Sequence, residues 1–137
     1  MKDYLKGKKC MVWSFMGNTR MYQALNDYGD RLDTVGIFTF EVAITGAISE
    51  TGTSISALTP YRAKWPHIKW MLTIMNHGTA SIFTALRNNT NGAKTMFLSE
   101  IVRIMQKYPW CAGVEIDLEH GGEFENRTAA NVLYADI

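Results

Sequence analysis

Charge of one sign is missing from this sequence: 14 Lys and Arg face 13 Asp and Glu, for a formal charge of +1. A surface so balanced has no long-range attraction for nucleic acid or for an anionic membrane. No basic run is interleaved with aromatics that could stack on bases. Neither partner is expected. Long hydrophobic runs are missing as well, and none approaches the roughly 18 residues that cross a bilayer. The N-terminus begins with a basic stretch, but the apolar run Cys10 to Phe15 is too short for the core of a signal peptide. Synthesis in the cytoplasm without a signal peptide is the expectation. Cysteine is scarce: Cys10 and Cys111 lie in apolar runs without a CxxC or Cys/His cluster, and read as small buried hydrophobes. The sequence also has no internal repeat and no low-complexity segment.

What is present is a core. Apolar residues make up 47% of 137 positions, enough for one globular domain. Four short β-prone runs recur, Lys9 to Phe15, Asp33 to Phe40, Ile68 to Met75 and Cys111 to Leu118. Their weak alternation suits strands buried on both faces of a parallel sheet. Helical patterns fill the gaps: Thr19 to Tyr28 behind Asn18, Thr79 to Asn88, and Ala93 to Tyr108, closed by Pro109. Ser56 to Lys64 is only weakly helical, with Pro60 as an interruption, and a last helix is expected from Asn126. The alternation predicts an α/β fold with βαβ units, which leaves an open doubly wound sheet or a closed eightfold barrel. A dinucleotide-binding sheet needs GxGxxG after its first strand. The sequence there is SFMGNTR, so that cofactor is excluded.

The fourth run holds the anomaly. Glu115, Asp117 and Glu119 alternate with Val114, Ile116 and Leu118, so a strand sends the acids to one face and the aliphatics to the other. Packing does not favour such a row, because like charges repel and burial disfavours the charged forms. An edge strand with its acids in water is one explanation, and a divalent-metal site joined by His120 is another. The third is a set of coupled acids, at least one with a raised pKa and able to donate a proton near neutral pH. Gly113 and the apolar neighbours favour the third.

The run AGVEIDLE resembles the signature DGxDxDxE of glycoside hydrolase family 18, the chitinase-like barrels, with Glu115 and Ala112 where the family usually has Asp. The preceding IKWMLTIMNHG, ALRNN and FLSEIVRIMQKYPWC resemble the spore-cortex and cell-wall lytic branch, which also occurs as phage wall hydrolases. The resemblance implies residues 1–137 as the N-terminal half, about four β/α units, of a TIM (β/α)8 barrel, truncated after its fourth strand. It implies a substrate-assisted retaining mechanism on β-1,4 glycans containing N-acetylglucosamine, such as peptidoglycan or chitin, with no cofactor and no metal. Glu119 is then the proton donor, Asp117 orients the substrate's acetamide, and Glu115 tunes Asp117.

Active sites of such barrels lie at the C-terminal ends of the strands, which nominates Phe38, Phe40, Glu41, Asn76 and His77 as substrate contacts. Phe40 is the candidate sugar platform; Trp13, Trp65, Trp70 and Trp110 read as core. Half a barrel leaves two open sheet edges, which invite self-association. It also lacks residues that later strands supply, so the piece alone is expected to be inactive. The parent is expected to act on a cell wall, released by lysis or carried on a virion. A non-catalytic glycan-binding or phage tail module with a chitinase-like barrel is the alternative.

Overall fold

A computed structural model of the chain describes residues 9–119, 131 and 133–135. Its elements are β1 (Met11–Phe15), α1 (Thr19–Tyr28), β2 (Thr34–Val42), β3 (Ile48–Glu50), α2 (Thr59–Lys64), β4 (Lys69–Met75), α3 (Ala80–Arg87), α4 (Ala93–Lys107) and β5 (Gly113–Asp117). The strands β1, β2, β4 and β5 lie side by side in that order, and each neighbouring pair is parallel. A doubly wound sheet needs a reversal of strand order; none occurs among these strands. Crossovers of one hand that never reverse put all helices on one face.

Burial separates the two faces. Val35, Ile37, Leu72 and Ile74 point toward the helices and are essentially inaccessible. Against them pack Leu25 from α1, Phe83 and Leu86 from α3, and Phe97 and Ile104 from α4. On the opposite face, Trp13 and Phe15 of β1 are 52% and 53% exposed.

Local chemistry sets the element ends. The Asn18 side chain accepts the Arg20 N–H at 2.9 Å and caps α1. Pro60 does not interrupt a helix as expected. It sits in the first turn of α2, where its missing N–H has no partner to lose, and a short 3-10 turn, Ile55–Leu58, leads into it. The NNTNG loop turns through left-handed Asn89, Asn91 and Gly92.

The antiparallel strand β3 was not anticipated. Three residues are too few for a visible period, yet β3 pairs with β2 through Phe40–Glu50 and Val42–Ile48. Its turn needs Gly46, whose φ is +83° and where an added Cβ would lie 1.9 Å from the Ala93 carbonyl oxygen. The start of the last helix, expected from Asn126, lies outside the described residues; of those described, Asn131, Leu133 and Tyr134 are helical and Leu133 is fully buried. Among the described residues no helix is long and apolar enough to cross a membrane.

Phe97 is the largest test of this packing. It is fully buried between α4 and the sheet, so Phe97→Ala should lower the unfolding free energy by about 3–5 kcal/mol in denaturant titration. Val102→Ala, on the exposed side of the same helix, should change it by no more than about 0.5 kcal/mol.

Candidate active site

Register stacks the inward residues in rows. Trp13, Gly36, Met71 and Gly113 form one row, and Phe15, Phe38, Thr73 and Glu115 form the next. Glu41, Met75 and Asp117 form the row nearest the C-terminal ends. Glu119 follows two residues beyond the end of β5 and lines the same hollow as Asp117.

Glu115 is held from across the sheet. The Trp13 indole N–H donates to both of its carboxylate oxygens, at 2.7 and 2.8 Å, and the Thr73 hydroxyl donates to one at 2.9 Å. β1 and β5 are three strand steps apart, roughly 14 Å along a flat sheet whose side chains stand perpendicular to it. The Trp13–Glu115 contact therefore requires a sheet strongly concave on this face. It also requires Gly36 between them: a Cβ there would lie 2.5 Å from the Trp13 ring and 2.8 Å from a Glu115 oxygen.

Asp117 sits next, half-buried. Burial, then the charges of Glu119 and Glu115, hold its carboxyl above the ordinary Asp value of 3.8. Of the expected acid with a raised pKa that donates a proton near neutral pH, the raised direction falls on Asp117. Tyr134 shares the field, its phenol raised by burial first and by the Asp117 charge second.

Two adjoining hollows open above the acids. One, about 280 Å³, is lined by Phe15, Phe38, Met75, His77, Asp117 and Glu119. The other, about 420 Å³, is lined by Trp13, Phe38, Glu115, Asp117 and Glu119. Phe15 and Phe38 stack with ring centroids 4.8 Å apart, giving the hollow an apolar wall beside its acids. A separate apolar cavity of about 330 Å³ lies behind β1, among Val12, Met21 and Leu25, and among the described residues no carboxylate lines it.

The other expected contacts divide. His77 lines the hollow, with Nε2 on a Glu41 carboxylate oxygen at 2.5 Å, so Glu41 reaches the site through His77. Phe40 is not brought to the site. It is 2% exposed and packs against Tyr108. The cause is a bulge: Phe38 pairs with Thr73 but Phe40 with Ile74, so Thr39 is an extra residue. Counting by twos from Gly36 and Phe38 puts Phe40 inside; the bulge shifts the parity, turning Phe40 to the helices and Glu41 inward. Asn76 is also turned away from the hollow. It is 2% exposed and bonded to backbone.

Trp13, read as core from sequence, is instead a wall of the site. Two signals pointed to the missed residues: Trp13 and Phe15 share a parity on β1, and Thr73 is the hydroxyl within an otherwise apolar run. His120 lies outside the described residues. Among the described residues no group of three or more His, Cys, Asp or Glu is placed to hold a metal ion.

The α/β chain, with its parallel sheet wound in one direction and acids at the C-terminal end of one strand, is similar to part of the fold of solved chitinases and of a spore cortex-lytic enzyme. A chitinase from Chromobacterium violaceum superposes with a TM-score of 0.68 at 19% identity, over 93% of this chain and 43% of that one. The spore cortex-lytic enzyme SleL of Bacillus cereus gives 0.74 at 17% identity, over 93% and 30%. A chitinase from Bacteroides thetaiotaomicron gives 0.71 at 13%, over 93% and 42%. At such identities the likeness is one of fold, and the chain spans less than half the length of each of these proteins. No protein-family model and no curated protein matches the sequence.

The Asp117 environment has a measurable consequence. A carboxyl whose pKa is raised by folding favours the folded state below its unfolded value, and that contribution is lost as pH rises through the folded value. Asp117→Asn should therefore raise the melting temperature at neutral pH. The gain should shrink on acidification and vanish below about 3.8, the ordinary Asp value. Thermal unfolding of both forms across pH is the measurement; a gain independent of pH would contradict the assignment.

Proposed function

We propose that this chain is the acid-bearing, N-terminal half of a (β/α)8 glycoside hydrolase of the family 18 type, acting on β-1,4 glycans that contain N-acetylglucosamine. One observation carries the reading: three carboxylates on a concave parallel sheet converge on a hollow at the C-terminal end of the strands, where such barrels do their chemistry. Peptidoglycan and chitin are the substrate classes that fit, which places the action at a cell wall.

In this reading Glu119, at the mouth of the hollow, protonates the leaving glycosidic oxygen while the substrate's N-acetyl oxygen attacks the anomeric carbon. Water then attacks the cyclised intermediate, with Glu119 taking a proton from it. Asp117 hydrogen-bonds the acetamide N–H and orients its carbonyl oxygen. Burial first, then the charges of Glu119 and Glu115, hold its carboxyl above the ordinary Asp value, so the neighbouring acids bear on the charge it carries there. Glu115 sets the field at Asp117, with Trp13 and Thr73 fixing its position. Phe15 and Phe38 offer an apolar surface to a sugar face. β1 and β5 remain the open edges of the sheet described here, and the further strands that close a barrel pair there.

The test uses the full-length protein and a chromogenic N-acetylglucosamine oligomer. Glu119→Gln should lower kcat by about 10²–10⁴-fold with KM little changed, and a chelator should have no effect. Binding without turnover in both the native and Glu119→Gln forms would instead identify a glycan-binding module.

A further inference from the structure

We propose that Asn76 is the positioning residue for Glu119: its buried side-chain amide continues the β4–β5 ladder one step past the last backbone pair and fixes the acid's backbone at the mouth of the site. The inference rests on the reading of Glu119 as the proton donor.

The ladder between β4 and β5 ends at Met75 and Asp117. Beyond it the two chains diverge, because His77 and Gly78 both adopt left-handed backbone, with φ of 49° and 67°. Glu119 thus lies where regular pairing has stopped. Asn76 replaces the missing pair. Its Nδ2 donates to the Glu119 carbonyl oxygen at 2.9 Å. The same amide is tied into its own turn, since Nδ2 also donates to the Thr79 carbonyl at 3.3 Å and Oδ1 accepts the Gly78 N–H at 3.2 Å. The Thr79 N–H closes the turn on the Asn76 carbonyl at 3.0 Å.

Asparagine suits this position for a chemical reason. A short side chain must donate to one backbone strand and accept from its own turn, and a carboxylate only accepts. On the other side of the acid, Leu118 is 2% exposed and locked in the core. With Leu118 packed and the Glu119 carbonyl bonded, the side-chain torsions of Glu119 are what is left to vary. An acid fixed in this way keeps its carboxylate over the hollow it shares with Asp117. Loss of the amide leaves the Glu119 carbonyl without this donor and frees the backbone.

Two readouts separate this proposal from the glycosidase reading. The first is the ¹³C carboxyl titration of Asp117 in the chain itself, which needs no activity. Because the Glu119 charge helps raise Asp117, Glu119→Gln should lower its midpoint. Asn76→Ala should lower it in the same direction, and the double variant should show no further drop beyond Glu119→Gln. If Asn76→Ala does not fold, Asn76→Ser takes its place, since a hydroxyl can still accept within the turn but is too short to reach Glu119. An unchanged Asp117 midpoint in a folded variant, or two drops that add, would overturn the proposal. The second readout is kinetic: in the full-length protein, Asn76→Ser should lower kcat by about 10–100-fold with KM nearly constant. A full-length protein that cleaves nothing would remove the hydrolase reading, and the titration would still decide whether Asn76 positions Glu119.

Discussion

A hydrogen bond between Trp13 and Glu115, made across three strand steps, is the contact on which the rest of the site depends. It can form only if the parallel sheet curls so that the side chains of β1 and β5 converge. The curl turns a row of acids from a solvent-facing stripe into the wall of a hollow, and partial burial then acts on Asp117. Gly36 is the condition for the contact, because any side chain there would occupy the space in which the indole and the carboxylate meet. Thr73, one strand away from Glu115, supplies a second donor from the floor of the curve. Without these donors Glu115 would be a carboxylate on a curved apolar wall, with no partner to offset its desolvation.

The acids in turn depend on how the strands end. Asp117 is the last residue of β5 in regular pairing, and Glu119 lies beyond it. Its place is set by Asn76 on one side and by the buried Leu118 on the other. The turn that delivers Asn76 also delivers His77 to the hollow, where Glu41 holds its ring. One left-handed turn after β4 therefore shapes both the acid and the rim opposite it. Asp117, between two other carboxylates, takes its raised pKa from burial first and from their charges second. The site couples its acids by proximity along one strand.

The bulge at Thr39 is the second decision that local sequence does not advertise. It shifts the parity of β2, so that Phe38 faces the acids, Phe40 joins the helices beside Tyr108, and Glu41 returns inward to meet His77. Beyond the bulge, β2 also carries β3 on its β1 side. The Thr39 carbonyl accepts both the N–H and the hydroxyl of Thr51, at 2.7 and 3.2 Å, which fastens the chain just after β3 to the bulged residue. The shift in parity and the added strand come from the same stretch of backbone.

The sequence by itself determined the four long strands, the helices between them and the common side of Glu115, Asp117 and Glu119. These follow from periods of two and 3.6 and from strong punctuation such as Asn18, NNTNG and Pro109. The rule that sites lie at strand C-terminal ends led to Phe40 as a site residue, and residue type led to Trp13 as core, because neither registers an inserted residue or a neighbour's curvature. Tertiary structure decided which acid is bonded, which is coupled and which is held by its backbone. Those outcomes depend on contacts between residues as distant in sequence as Trp13 and Glu115 or Asn76 and Glu119, and such distances are fixed only when the sheet has closed its register and bent.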